Sequence, residues 1–267
     1  MDQKQIFLPE SMYKVDSEMT YERLSDLYES GQTVTGTVTR LNSKDELLEV
    51  YLGENLTGIM PFASSTIYPL YRYGGISPNI YELVGKNIQA KIKCIDGNKI
   101  FLSRRENMLN ALELLRDKTD KIEYTSIIGF SKSSAFIDMG AGIIGRIRSK
   151  AFSPVKFRDI RDVGIKVGDI ISAKITEFLE EDNKFELSRV DILPSHYEVF
   201  NPNDVVVCKV FEPVCDLGNI GYYVLINNNY CGIVDSPKVK LNYGDNIIGY
   251  IKKLKDEGIK LTLVETL

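Results

Sequence analysis

Three times along this chain the same order of five short segments recurs, each alternating apolar and polar residues with a period of two. The first cycle reads GQTVTGTVTRL (31–41), LLEVYLG (47–53), LTGIMPF (56–62), NIQAKIKCID (87–96) and KIFLSRR (99–105). KIEYTSIIGF, SAFIDMG, GIIGRI, DIISAKITEF and KFELSRV repeat the order between 121 and 190. DVVVCKVFEP, GYYVLIN, YCGIVD, NIIGYIKKL and IKLTLVE repeat it again from 203. Period-two alternation is the mark of strands that bury one face. Five short strands with glycine at the bends predict a small closed barrel, because glycine lets a strand coil sharply. The repeat is longer than a solenoid unit and suits one barrel domain per cycle.

Between the cycles the period changes. Residues 18–30 place Tyr21, Leu24, Leu27 and Tyr28 at helical spacing, with Gly31 where a helix stops. RRENMLNALELLRDK (104–118) does the same with Met108, Leu112 and Leu115. It is read as a linker helix docked on a barrel. DILPSHYEVFNP (191–202) carries two prolines and is a linker. The expected organisation is a leader with a short helix (1–30), a barrel (31–106), a linker helix (107–120), a second barrel (121–190), a linker (191–202) and a third barrel (203–267).

These cycles resemble the S-one-type RNA-binding repeat, the family named after the largest protein of the bacterial small ribosomal subunit. Gly31, Val34, Gly36 and Val38 match its opening, and Gly58-Ile59-Met60-Pro61 its third strand. Val84-Gly85-Lys86 precedes the fourth strand and Leu102-Ser103-Arg104 closes the cycle. The second cycle matches through Ala135-Phe136-Ile137-Asp138-Met139-Gly140, Gly142-Ile143-Ile144-Gly145, Val167-Gly168-Asp169 and Leu187-Ser188-Arg189. The third matches more loosely, through Tyr222-Tyr223-Val224-Leu225-Ile226, Cys231-Gly232-Ile233-Val234, Tyr243-Gly244-Asp245 and Leu261-Thr262. The resemblance implies an all-β chain of three tandem five-stranded OB-fold barrels. It also implies a base-stacking aromatic on the second strand. Phe136 and Tyr223 take that place; the first cycle puts Glu49 there.

Around Phe136 the second cycle gathers Arg146, Arg148 and Lys150 on and after its third strand. Lys156, Arg158 and Arg161 follow in the connecting loop, with Phe152 and Phe157 interleaved, and Arg189 lies at the end of the fifth strand. Exposed aromatics stack bases and cations neutralise phosphates. These residues are therefore candidates for single-stranded RNA, or the related single-stranded DNA. Equally, the two phenylalanines could be loop anchors and the cations a solvated face offset by Asp159 and Asp162. Arg104 and Arg105 could add phosphate contacts or simply begin the linker helix. A long loop in the first cycle, SSTIYPLYRYGGISPNIYELVG (64–85), holds Tyr68, Tyr71, Arg72, Tyr73 and Tyr81. Tyrosine and arginine serve base stacking and protein anchoring alike, so a protein partner is expected there.

Net charge is −4, but the acidity is uneven. The leader holds 3 basic against 7 acidic side chains, while 31–106 holds 9 against 7 and 121–190 holds 12 against 10. The middle blocks thus permit nucleic-acid binding without demanding it. Cys94, Cys208, Cys215 and Cys231 lack CxxC spacing and His196 is the single histidine, so reduced thiols are expected and a zinc site is not. GAGIIG (140–145) reads as a barrel turn, Glu180-Glu181-Asp182 as a solvated hairpin, and nothing suggests a positioned nucleophile and base. No cofactor is implied. MDQKQIFLPE has no basic n-region or apolar h-region, and no run is long enough to span a membrane. A cytoplasmic, non-catalytic binding protein is expected. The rival is an assembly protein whose barrels contact neighbours in a large particle, either a ribosome-associated factor or a bacteriophage virion component. Cations sharing a face with Phe136 would favour RNA; an open tyrosine loop would favour assembly.

Overall fold

The computed structural model describes residues 7–72, 74–118, 120–216, 219–235, 237–256 and 258–267, with 214–216, 219 and 220 described as backbone only. The chain forms two compact units. One comprises Met1–Ser126, Ile137–Gly145 and Glu177–Phe185; the other comprises Ile127–Phe136, Arg146–Thr176 and Glu186–Leu267.

Helix α1 (Tyr21–Glu29) is N-capped by Thr20, whose hydroxyl accepts from the Arg23 amide. Of the expected stripe, Leu24 is buried and Leu27 packs on the core, while Tyr21 and Tyr28 stay exposed. The first barrel follows: β1 (Thr33–Asn42), β2 (Leu47–Gly53), β3 (Leu56–Pro61), a two-stranded ribbon β4 (Tyr71–Arg72) and β5 (Gly75–Ile76), then β6 (Asn87–Asp96) and β7 (Lys99–Ser103). Its barrel order is β1-β2-β3-β7-β6. Helix α2 (Arg104–Arg116) begins directly at the last barrel strand, capped by Ser103. The stretch read as helical over 104–118 is helical from Arg104 to Arg116. Met108, Ala111 and Leu115 are its buried apolar residues.

The second barrel uses β8 (Lys121–Ser131), β9 (Ser134–Asp138), β10 (Ile144–Arg148), β11 (Ile170–Leu179) and β12 (Lys184–Ser188). The third uses β13 (Val205–Asp216), β14 (Asn219–Ile226), β15 (Tyr230–Asp235), β16 (Asn246–Lys255) and β17 (Gly258–Thr266). Both close in the same cyclic order as the first. The all-β architecture of three tandem five-stranded barrels is thus as the repeat foretells.

Alternation explains each core. In β1 the buried residues are Val34, Gly36 and Val38, and in β6 they are Ile88, Ala90 and Ile92. The third barrel does the same with Val206, Cys208 and Val210 against Ile247 and Ile251. Where the third and fifth strands run parallel, core leucine side chains fill the space over a third-strand glycine. A Cβ on Gly58 would lie 2.5 Å from Leu102 Cδ1, and one on Gly232 2.5 Å from Leu261 Cδ1. In the first and third barrels this crowding accounts for the glycine at that place.

Candidate nucleic-acid interface

The outer faces of the barrels share one row. In the first barrel Glu49 on β2 stands opposite Ile59 on β3, which stands beside Phe101 on β7. In the third, Tyr223 stands opposite Ile233, and Ile233 beside Lys260. Phe136 precedes Gly145 by the spacing that separates Glu49 from Gly58 and Tyr223 from Gly232. Carried to the second barrel, this register sets Phe136 against Arg146, and Arg146 beside Glu186. The second half of that row is directly bonded. Arg146 Nε donates to Glu186 Oε1 at 2.6 Å and its Nη2 donates to the same oxygen. Arg148 Nε donates to Glu186 Oε2 at 3.2 Å.

Exposure separates the roles. The Arg148 side chain is 65% exposed, Arg146 33% and Glu186 11%. Two guanidinium groups on one carboxylate leave a net positive charge beside a half-buried aromatic ring. Lys150, at the end of the same segment, is exposed and among the described residues has no bonded partner. Phe136, Arg146, Arg148 and Lys150 thus fall on and directly after two neighbouring strands.

Two of the connecting loop's three candidate cations are engaged elsewhere. Arg161 is held by Asp159, with Nε donating to Oδ1 at 2.8 Å and Nη2 to Oδ2 at 2.5 Å. Those bonds hold the Asp159 carboxyl well below the usual range. Arg158 lies over the Tyr243 ring, 4.4 Å from its centre, and its amide donates to the Tyr243 hydroxyl at 3.0 Å. That hydroxyl donates to Asp162 Oδ2 at 2.5 Å, and Lys209 Nζ donates to the Asp162 carbonyl at 2.6 Å. Lys156 is exposed and Phe157 half-buried. Phe152 is a loop anchor, fully buried, with the Arg189 guanidinium 5.1 Å over its ring. Arg189 also donates to Asn229 Oδ1. Neither Phe152 nor Arg189 is placed as a free contact.

Arg104 is still further from solvent. Its Nε and Nη2 grip Glu10 Oε1 and Oε2, both at 2.7 Å, and Nη1 donates to the Ser65 carbonyl at 2.9 Å. Asp138 closes this cluster, accepting from the amides of Glu10 at 2.7 Å, Gly140 at 2.8 Å and Gly142 at 3.0 Å. Burial and then the neighbouring Glu10 charge push its carboxyl up to about 7. Gly142 has φ +76°, and a Cβ there would lie 1.8 Å from Arg104 Nη2. Arg104 thus holds the leader, and a phosphate cannot reach it. Arg105 is exposed and caps the Thr66 carbonyl at 3.0 Å.

The tyrosine loop is anchored by Tyr68, while Tyr71 and Tyr81 stay exposed, at 49% and 52%. Tyr68 is buried, its hydroxyl accepting from the Ile144 amide at 2.6 Å, and burial raises its pKa. Tyr71 donates to Glu46, Ile80 and Leu83 are buried, and Arg72 and Tyr81 remain exposed. Tyr73 lies outside the described residues. Tyr223 is exposed on β14. Cys94, Cys208 and Cys231 are free thiols; the Cys215 side chain lies outside the described ones. No group of His, Cys, Asp and Glu suited to a metal occurs among the described residues, and among them no helix is long and apolar enough to cross a membrane.

No protein-family model matches the chain. It is similar to the small ribosomal subunit protein bS1 of Staphylococcus saprophyticus, 23% identical over 243 residues, covering 86% of this chain and 57% of that one. It is also similar to bS1 of Mycobacterium tuberculosis, 25% identical over 171 residues, covering 61% and 32%. The chain is a distant homologue of bS1. It spans little more than half the length of the first relative and about a third of the second. Among solved structures, a multidomain protein with nucleic acid binding domains from Streptococcus pneumoniae aligns at 11% identity over 88% of this chain and 73% of that one, with a TM-score of 0.27.

Two residues outside the repeat motifs, Glu186 and Glu10, and one inside them, Tyr243, decide which of the candidate cations are already engaged. Glu186 alone left a signal, an acid at an outward position of KFELS between two flanking apolar residues. Tyr243 and Glu10 act on partners too distant in sequence for any local pattern to announce.

Proposed function

We propose that this chain is a non-catalytic binding protein for single-stranded RNA, with little sequence preference along most of the strand, working in the cytoplasm beside the ribosome. The row that sets Phe136 against Arg146, with Arg148 and Lys150 beyond it, carries the reading. An aromatic ring offers a π-face to any base, and flanking cations follow the phosphates whatever the sequence. Homology to a small-subunit ribosomal protein supports RNA as the ligand and the ribosome as its setting. Fluorescence anisotropy of a labelled single-stranded RNA over a salt series tests it, with single-stranded DNA as competitor. Binding should weaken with a log–log slope of about −0.7 per phosphate contact. Arg148→Ala and Lys150→Ala should each flatten the slope by about that amount. No binding at low salt would end the proposal.

A second reading, contact with a protein of a large particle, is favoured by one surface. On the third barrel Val205 stands opposite Tyr250 and Val207 opposite Ile248. Val205, Val207 and Val264 are all strongly exposed. The same face of the first barrel pairs Thr33 with Lys91 and Thr35 with Gln89. There the leader covers it: Glu10 Oε1 accepts from the Gln89 amide at 3.4 Å and the Tyr13 carbonyl from Asn87 Nδ2 at 2.8 Å. An apolar face without such cover is a protein-contact surface. Co-sedimentation with small ribosomal subunits separates the readings. Loss in Phe136→Ala alone means attachment through RNA, and loss in Val207→Lys alone means attachment through protein.

A further inference from the structure

We infer that the Arg146–Glu186 pair reads the base stacked on Phe136 and favours guanine at that one position. This rests on the RNA-binding reading and adds to it a single selective pocket in an otherwise tolerant strand path.

The geometry distinguishes Arg146 from an ordinary phosphate contact. A guanidinium has two useful edges, one formed by Nε and Nη2 and one by Nη1 and Nη2. Glu186 Oε1 occupies the first edge of Arg146 completely. The second edge is left with a donor from each terminal nitrogen. Glu186 itself is almost fully buried and has Arg148 on its other oxygen. It cannot easily reach a ligand, and its effect is to fix the plane and direction of Arg146. Fixing a flexible side chain beforehand removes the entropy cost of ordering it on binding.

The surroundings choose the ligand. Arg146 is two-thirds covered and already faces a carboxylate, so much of its charge is cancelled locally and its attraction for a phosphate is weakened. Arg148 and Lys150, more open, suit the backbone. What Arg146 keeps is shape: two donors side by side, directly across the strand pair from the stacking ring. Residues opposite one another on neighbouring strands have Cβ atoms about 4.5–5.5 Å apart. A base lying on Phe136 therefore turns one edge towards that fork. Two adjacent acceptors, O6 and N7, are the Hoogsteen edge of guanine, and an arginine fork on them is the commonest specific base contact. Adenine offers a donor at N6 in place of the O6 acceptor, so it meets the fork with one acceptor and one repulsive contact. The first and third barrels put Ile59 and Ile233 at this place, so the selectivity belongs to the second barrel alone.

The test compares two labelled RNA dodecamers by anisotropy, one all adenine and one with a single central guanine. The natural chain should bind the guanine oligomer about 5- to 150-fold more tightly, the equivalent of about 1–3 kcal/mol for one bidentate pair. Glu186→Gln frees the fork but removes no contact to RNA. It should bring the ratio close to one, weakening the guanine oligomer far more than the adenine oligomer. A merely structural role would instead weaken both oligomers together. Arg146→Lys keeps the charge, loses the fork, and should also abolish the ratio; it serves if Glu186→Gln fails to fold. Equal binding of both oligomers by the natural chain would make Arg146 a phosphate contact and overturn the inference while leaving RNA binding intact. Binding of neither oligomer at low salt would overturn the RNA-binding reading as well.

Discussion

Glu10→Ala is expected to lower the unfolding free energy of the unit built on the first barrel by about 3–5 kcal/mol. Both members of the pair with Arg104 are buried, and both carboxylate oxygens are used at 2.7 Å. Removing the acid strands a buried guanidinium with a carbonyl, a thioether and a neighbouring carboxyl, Asp138, for company. Breaking a buried pair costs far more than removing it altogether, because an uncompensated charge remains. The double variant Glu10→Leu, Arg104→Met should therefore recover most of the loss. Urea unfolding followed by tyrosine fluorescence reads both. A loss under about 1 kcal/mol for Glu10→Ala would show that the leader is not held by this pair.

The same cluster fixes a pH dependence. The groups facing Asp138 are Glu10, Arg104 and Tyr68. Its carboxyl is raised from 3.8 to about 7 in the folded chain. The folded state thus holds a proton that the unfolded chain releases. That contribution is complete below about pH 4 and is lost as pH rises through 7. Urea midpoints should fall between pH 5 and pH 8, and Asp138→Asn should flatten the trend.

Much of the fold was legible because barrels advertise themselves locally. A strand states which face is buried by alternation alone, so β1 and β6 declare Val34, Val38, Ile88 and Ile92 without any knowledge of the partner strand. Repetition then multiplies a weak signal threefold. The site was legible only in part. Sequence shows which cations lie near Phe136 in the chain, but whether a cation is free depends on pairs that alternation does not encode. Arg104 and its acid are 94 positions apart, and Arg158 and Tyr243 are 85. Arg161 differs, since Asp159 two positions earlier announces its partner. The leader's acidity was visible as charge; that one of those acids is buried as the mate of an arginine was not.

Phe152→Ala and Phe136→Ala should part cleanly, although the sequence presents both as phenylalanines among basic residues. Phe152 is fully buried beneath Arg189. Truncating it removes a large buried ring and leaves a cavity, which costs about 3–5 kcal/mol in typical cores. It also takes the ring away from a guanidinium whose burial already lowers its pKa, so the cost should lie at the upper part of that range. RNA affinity of the remaining folded fraction should be nearly unchanged. Phe136 is half-buried on an outward position of β9. Its truncation exposes little core and should move the unfolding midpoint only slightly. It removes one stacking surface, worth about 1–3 kcal/mol per base, so RNA affinity should fall about 5- to 150-fold. The reversed result, with Phe152→Ala losing RNA and Phe136→Ala losing stability, would move the interface from the strand face to the loop beneath it. Stability and affinity must therefore be measured on both variants, because only their crossed pattern distinguishes a stacking ring from a structural one.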